Sequence, residues 1–357
     1  MEATIPWGAI EAGSASLLTD HGDTSYASSD ASQCSCSSDA SCCSSSNCDG
    51  SCSATVAAKP PMMRTPEQVI RAMAESIDAS LDECLWQWIV RGVLAGVLIT
   101  TGAFLSTVFS AGVEAHGPQA FMAGLGFVTA VSMVILSGSL LLSASSITIP
   151  MYLLARGGWD AAVAALGHRC GRVSNAIDNF QTRVFRPKRA VAMWLVSIVA
   201  NYLGSLFAGA LFVAGSLLDA HSTARLDAIV LAKVSPYWAS GARGWFSLVV
   251  WGMIANLLVG MAAYNATVAR TLPGIVLGIF LPVMAFVVLG AAHSPTNMGY
   301  FALSLINGNS PITWGDTWAW HLPAAIAGNL LGGALLIGLP IFLAHGVSPT
   351  TYRTKIM

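Results

Sequence analysis

The sequence is poor in charged residues. Asp, Glu, Lys and Arg make up only 10% of its 357 residues, against roughly 25% in a soluble domain. Too few charges are present to solvate the surface of a soluble protein of this length. The formal net charge of −1 offers no excess of basic residues for binding nucleic acid. With 54% hydrophobic residues and a mean hydropathy of +0.63, the composition predicts an all-α, multi-pass membrane protein.

Motifs for enzyme chemistry are also lacking. No zinc motif, nucleophile elbow or phosphate-binding loop occurs in a plausible sequence context. No stretch outside the apolar blocks suggests a folded soluble domain. We therefore expect no enzyme activity and no cofactor, and a membrane receptor or enzyme is the less favoured alternative.

Residues 1–64 have little apolar surface to bury. The stretch 28–53 is almost entirely Ser, Cys, Asp, Ala, Asn and Gly, which predicts a disordered tail. The tail has neither the basic start nor the apolar stretch of a signal peptide, and its acidic residues argue against a transit peptide. Six of the eight cysteines lie here in C-x-C and C-C spacings that do not match zinc ligands, so no metal site is predicted. Lipidation of this tail is an alternative.

Six apolar blocks follow within a predicted transmembrane domain at 65–346. Each could cross a bilayer, which takes about 20 helical residues. They lie at about 85–109, 120–154, 191–217, 245–269, 275–306 and 319–344.

The second and fifth blocks are too long for one straight crossing, and each contains a polar interruption, at 143–146 and 293–297. Non-helical backbone at membrane depth survives only where it lines a cavity or is buried in protein. The broken second and fifth helices therefore indicate the transport path.

Charge outside the blocks predicts the orientation. The loop 155–190 holds seven Arg or Lys residues and two acidic ones, which places it in the cytoplasm. Six spans then put both termini, including a short tail at 347–357, on the cytoplasmic side. The plasma membrane is favoured because no targeting signal is evident.

The two sets of three blocks share a short motif. Block three contains Asn201-x-x-Gly204 and block six contains Asn329-x-x-Gly332. Halves with an odd number of spans must have opposite orientations, so the pattern predicts an aquaporin-like inverted repeat of 3+3 helices. Helix packing through small residues also explains these glycines.

His293 is the residue with the clearest chemical implication. Blocks two to six contain no Asp, Glu, Lys or Arg, and His293 alone among the histidines lies at a predicted membrane midplane. An ionisable group there indicates a functional site. Half-helix N-termini attract anions, whereas apolar walls reject a bare ion. The favoured substrate is a weak-acid anion that crosses with a proton supplied through His293. Alternatively, a neutral His293 hydrogen-bonds the substrate or ties down irregular backbone.

Several motifs, in this order, resemble the formate/nitrite transporter family from Thr65 to the end of block six. They are Thr65-Pro66-Glu67, Gly92-Val93-Leu94-Ala95-Gly96, Ala255-Asn256-Leu257-Leu258-Val259 and His293-Ser294-Pro295-Thr296-Asn297-Met298. The resemblance implies a homopentamer in the lipid bilayer with one pore in each protomer. It implies proton-linked transport of formate, nitrite, lactate, bicarbonate or related small monovalent anions.

The resemblance also implies the pore residues. The polar ones are His293, Ser143, Asn256, Asn297 and Lys233, and the apolar constriction is formed by Phe127, Val131, Leu141 and Phe286. His293 matches the central histidine of the family, although the acid that often precedes it is Ala292 here.

Two of these assignments have structural alternatives. Lys233 lies 23 residues before Asn256, which exceeds the usual spacing and suggests an insertion around 235–242. Lys233 could instead be a solvated loop lysine. The two phenylalanines could belong to the core or face lipid.

A neutral-solute channel is the alternative function. An aquaporin would show two Asn-Pro-Ala motifs, and none occurs here. An ammonia channel would pair two pore histidines, and only one midplane histidine is predicted.

Overall fold

The computed structural model describes residues 61–157 and 185–345. Most of the predicted tail, the middle of the basic loop and the C-terminal tail lie outside these residues. Residues 61–64, which the sequence places in the tail, already contact the folded part. The Arg64 guanidinium donates a hydrogen bond of 2.6 Å to the Thr267 carbonyl, and Met63 forms an isolated β-bridge with Ala269.

Ten helices form the regular structure of the described ranges. They are α1 (Pro66–Asp82), α2 (Leu85–Ser110), α3 (His116–Leu136), α4 (Leu142–Gly157), α5 (Pro187–Ala214), α6 (Ala220–Ala239), α7 (Gly241–Val268), α8 (Leu272–Val288), α9 (Ser294–Asn307) and α10 (Asp316–His345). The last contains two π-helical segments, Asp316–His321 and Gly332–Gly338.

Five of these helices are long and apolar enough to cross a membrane: α2, α3, α5, α7 and α10. The helix α8 is shorter but equally apolar, and Leu277 and Leu281 on it are more than 70% exposed. Leucines exposed in this way fit a lipid environment rather than water. Length, composition and exposure therefore agree on an integral membrane protein built from helices.

The second and fifth apolar blocks each form two helices. The first break separates α3 from α4 at 137–141, and the second separates α8 from α9 at 289–293. Each break contains a glycine with positive φ four residues before the next helix, Gly138 at +65° and Gly290 at +63°. Glycine adopts this conformation without the steric cost of a Cβ atom.

The interruption predicted at 143–146 is instead the start of α4. The hydroxyls of Ser145 and Ser146 donate to the carbonyls of Leu141 and Leu142, four residues back, at 3.1 and 2.9 Å. A serine whose hydroxyl donates a hydrogen bond to a carbonyl of the preceding turn can stay within a helix. The serines at 143–146 therefore do not interrupt the helix, and the break falls earlier in the chain, around Gly138.

At the second break, His293 immediately precedes α9, and Pro295 lies in its first turn. Proline is favoured at this position because the first helical N–H groups have no partner within the helix.

Glycines bring α2 and α5 into direct backbone contact. A Cβ atom on Gly204 would lie 2.1 Å from the Val93 carbonyl oxygen, and one on Gly96 would lie 2.0 Å from the Asn201 carbonyl oxygen. On the other side of the molecule, α7 and α10 meet in the same manner, because a Cβ atom on Gly332 would lie 2.3 Å from the Met253 carbonyl oxygen. These glycines allow a close approach that no larger residue permits.

We expect Gly204→Ala to lower the melting temperature of the protein in detergent, because the added methyl group would force α2 and α5 apart. Overpacking of this kind costs about 1–3 kcal/mol. Gly117→Ala is the matched control, since a Cβ atom there would meet nothing within 4 Å. Equal melting temperatures for the two variants would show that this helix contact adapts without cost.

Candidate functional site

The first helix break is held by Asn201 of α5. Its side-chain oxygen accepts a hydrogen bond of 2.9 Å from the N–H of Leu142, the first residue of α4. Its side-chain nitrogen donates to the carbonyls of Leu140 and Gly92, at 2.8 and 3.0 Å. One buried amide therefore joins the start of the half-helix, the loop before it and the facing helix α2.

The second break is held in the same way by Asn329 of α10. Its side-chain oxygen accepts a hydrogen bond of 2.7 Å from the N–H of Ser294, the first residue of α9. Its side-chain nitrogen donates to the carbonyls of Ala292 and Gly252, at 3.0 and 2.9 Å. The Asn-x-x-Gly pattern marks both asparagines in the sequence, but it gives no indication that they support the breaks.

His293 lies directly at the second break and is fully buried. Its Nδ1 is 2.7 Å from the Thr296 hydroxyl, and its ring centroid is 5.2 Å from that of Phe286. Its Nε2 has no hydrogen-bond partner among the described residues. One ring nitrogen is thus held by the protein, and the other can bond a molecule beside it.

Ser143 and Asn256 lie next to each other in the buried core. The Asn256 side-chain nitrogen donates to the carbonyls of Ser143 and Asn329, at 3.3 and 2.6 Å. The Ser143 hydroxyl and the Asn256 side-chain oxygen have no hydrogen-bond partner within the part of the chain that the structure describes. Because Asn329 also bonds the residues on both sides of His293, these hydrogen bonds connect Ser143 and Asn256 to the second break.

Asn297 contacts a second histidine, His321, in the first turns of α10. The Asn297 side-chain nitrogen is 2.8 Å from Nε2 of His321, and the ring of Phe301 lies against the same imidazole with centroids 5.0 Å apart. His321 is 1% exposed. His321 and His293 are therefore both buried among the described residues. The spacing of eight residues from Asn329, which favours one helix face, was the available signal.

Lys233 lies within α6 and lines a cavity of about 410 Å³. Its Nζ is 5.8 Å from the ring centroid of Tyr300. The alternative of a solvated loop lysine is wrong, since α6 continues to Ala239 and α7 begins at Gly241. Thr296 and Phe286 also line this cavity, which therefore reaches the hydrogen-bond partner and the ring neighbour of His293.

The four predicted constriction residues are all buried in one hydrophobic cluster. Phe127 and Val131 are four residues apart on α3, which places them on one face of that helix. The ring centroids of Phe127 and Phe286 are 6.0 Å apart, and Phe127 is 5.6 Å from Tyr300. The phenylalanines are therefore buried and do not face lipid, and Phe286 lies against the His293 ring.

Broken helices that expose a few unsatisfied polar atoms among apolar side chains are typical of a membrane transport protein. The described residues hold no group of three or more His, Cys, Asp or Glu that could bind a metal ion. The chain belongs to the formate/nitrite transporter family, whose sequence model matches residues 67–166 and 178–343. The predicted resemblance is thereby confirmed, and the chain is a transporter and not an enzyme.

Individual relatives agree with this assignment. A protein described as a "probable formate transporter" from Methanothermobacter thermautotrophicus is 24% identical over 288 residues, which covers 77% of this chain and 94% of the relative. A solved structure titled "FNT family ion channel" is 22% identical, with a TM-score of 0.59, and covers 78% of this chain and 98% of its own. A "pentameric formate channel with formate bound" is 19% identical, with a TM-score of 0.55, and covers 73% and 97%. The two structures establish the shared fold.

We expect Asn329→Ala to destabilise the protein strongly, since it leaves the Ser294 N–H and the Ala292 carbonyl buried without partners. Each such group costs about 1–3 kcal/mol. Asn265→Ala is the matched control because Asn265 is partly buried and its side chain, within the described residues, makes one hydrogen bond, to the Gly278 carbonyl. Thermal unfolding in detergent measures the difference. A drop for Asn329→Ala no larger than that for Asn265→Ala would contradict a supporting role at the break.

Proposed function

We propose that the protein transports small monovalent weak-acid anions, of the formate, nitrite, lactate and bicarbonate class, together with protons. The observation that carries this proposal is the imidazole of His293, which is buried at a helix break with an unpartnered Nε2 among the described residues. The printed names of the relatives, which include formate transporters and channels, support the same substrate class.

The apolar surroundings explain why a proton is needed. Moving a bare anion past Phe127, Leu141 and Phe286 costs several kcal/mol of desolvation. A weak acid that takes up a proton is neutral, so it can cross without the desolvation cost of an ion. His293 supplies this proton, or it hydrogen-bonds the neutral acid while water carries the proton.

The hydroxyl of Thr296 controls which role His293 can take. If Thr296 donates to Nδ1, then Nε2 carries the ring hydrogen and can donate it to an anion. If Nδ1 donates to Thr296, then Nε2 is an acceptor. Ser143, Asn256 and Asn297 complete the proposed polar path, and Lys233 attracts the anion to the cavity that leads to it.

The finer architecture is also a proposal. We infer six spans in two inverted halves, α2 to α5 and α7 to α10, in which α3 with α4 and α8 with α9 each form one broken span. The matching contacts of Asn201 and Asn329, and the matching positions of Gly138 and Gly290, support this repeat. Six spans and the basic loop would place both termini in the cytoplasm, with the plasma membrane as the favoured location.

We infer a homopentamer in which each protomer has its own pore. The solved structure titled as a pentameric formate channel supports this assembly. Exposed apolar side chains along the described spans provide surface for contact with neighbouring protomers and with lipid.

A neutral-solute channel is the second candidate because His321 is a second buried histidine. Its imidazole bonds Asn297, and that of His293 bonds Thr296, so the two rings contact adjacent residues of α9. The cavity beside them contains a lysine, which favours anions over ammonia.

In proteoliposomes we expect formate uptake to be faster at mildly acidic than at neutral pH, because protonation relieves the desolvation of the anion. His293→Ala should reduce uptake roughly tenfold, the equivalent of one lost hydrogen bond. His345→Ala is the control, since this histidine is exposed at the end of α10. A well-folded His293→Ala protein with unchanged pH-dependent uptake would disprove the role of His293. Water or glycerol flux without anion uptake would favour the second candidate.

We expect Thr296→Val to lower uptake several-fold and to change its pH profile, since the hydroxyl that sets the hydrogen position on His293 is lost. Thr296→Ser should restore both properties. Thr267→Val is the matched control because, in the part of the chain that the structure describes, the Thr267 hydroxyl bonds a carbonyl of its own helix, that of Ala263. A pH profile for Thr296→Val identical to that of the wild type would limit Thr296 to packing.

A further inference from the structure

The helix α6 carries two cationic residues on the face that lines the cavity. Arg225 and Lys233 both contribute to its wall, and Ile229 between them does so too. Spacings of four and eight residues lie on one face of a helix. At 1.5 Å per residue the Cα atoms of these two residues are separated by about 12 Å along the helix axis.

No carboxylate balances these charges within the described lining of the cavity. The residues that form it include Arg225, Lys233 and His116, but no aspartate or glutamate. Asp227 is close in sequence to Arg225, yet residues two apart do not share a helix face, and Asp227 lies near Ser304. The cavity is therefore electropositive and suited to an anion.

A hydrogen-bond chain holds Arg225 in place. Its Nε donates to the Ser110 hydroxyl at 2.9 Å, and Ser110 donates to the Ser106 carbonyl at 2.7 Å. The Ser106 hydroxyl is 2.7 Å from the hydroxyl of Tyr300, whose ring lies under Lys233. The two cations are thus arranged around one buried tyrosine.

The remaining donors of Arg225 are available to a ligand. Within the described residues, the Ser110 contact is the hydrogen bond that its guanidinium makes, and it uses Nε alone. The Nη groups have the planar geometry that matches the two oxygens of a carboxylate or of nitrite. A cavity of about 410 Å³ has room for such an anion together with several waters.

We infer that Arg225 is a second anion-binding residue, which captures an incoming monovalent anion and passes it to Lys233 before the anion reaches Phe286 and Thr296. This inference rests on the proposed function. A point midway along this stretch of α6 is about 6 Å along the axis from each residue, which is less than the screening length of about 8 Å at physiological salt. The attraction therefore persists along the whole cavity.

The test is formate uptake into proteoliposomes as a function of formate concentration, at low and at raised concentration of an impermeant buffer salt. We expect Arg225→Gln to raise the KM about threefold to tenfold at low salt and to leave the maximal rate unchanged, since capture is weakened and crossing is not. The KM of this variant should also depend less on salt. Arg225→Lys should restore part of the affinity because it keeps the charge but loses the planar fork.

Arg243→Gln is the matched control. It removes the same charge near the start of α7 from an exposed residue that does not line the cavity. Its KM and salt dependence should equal those of the wild type.

Each outcome has a distinct meaning. Wild-type protein without saturable anion uptake would overturn the proposed function itself. Wild-type uptake with an unchanged KM and salt dependence in Arg225→Gln would overturn the role of Arg225 alone. Equal loss of maximal rate in Arg225→Gln and Arg225→Lys at constant KM would show that Arg225 only supports the fold, and would overturn the inference as well.

Discussion

The structure depends on satisfying the backbone where two helices stop inside the protein. A helix that begins in an apolar interior exposes N–H groups, and the loop before it exposes carbonyls, that water cannot reach. Asn201 and Asn329 each bond one such N–H and two carbonyls. Without these two amides, the breaks would carry buried polar groups at a cost that few native structures tolerate.

Because asparagines satisfy much of the backbone at the breaks, other polar side chains remain available to a substrate. The Ser143 hydroxyl, the Asn256 side-chain oxygen and Nε2 of His293 are buried without partners in the described part of the chain. Such groups are costly unless something bonds them during the working cycle. Their position beside the breaks, within an apolar cluster, is consistent with brief contacts to a small polar solute.

Attraction and rejection of charge occur in adjoining parts of the molecule. The cavity carries Arg225 and Lys233 on one helix face, and its described lining contains no carboxylate, so it is electropositive. Phe286 forms part of its wall and also contacts the His293 ring, so the electropositive cavity adjoins the buried apolar cluster. Family membership defines a transporter, and the electropositive cavity beside apolar side chains is the physical basis of the substrate class that we propose.

The sequence by itself determined the membrane class and the approximate positions of the apolar helices, and it indicated His293 as a candidate site residue. Hydrophobicity adds along a chain, so a run of apolar residues predicts a buried or lipid-facing helix without knowledge of its neighbours. The first break was misplaced because the hydroxyls of Ser145 and Ser146 bond carbonyls four residues back, so these polar residues continue the helix. Only the tertiary structure decided that Asn201 and Asn329 hold the breaks, that His321 is buried, and that Arg225 shares a cavity with Lys233. These properties arise from contacts between segments far apart in the chain, where burial and hydrogen-bond partners depend on how helices pack and not on local sequence.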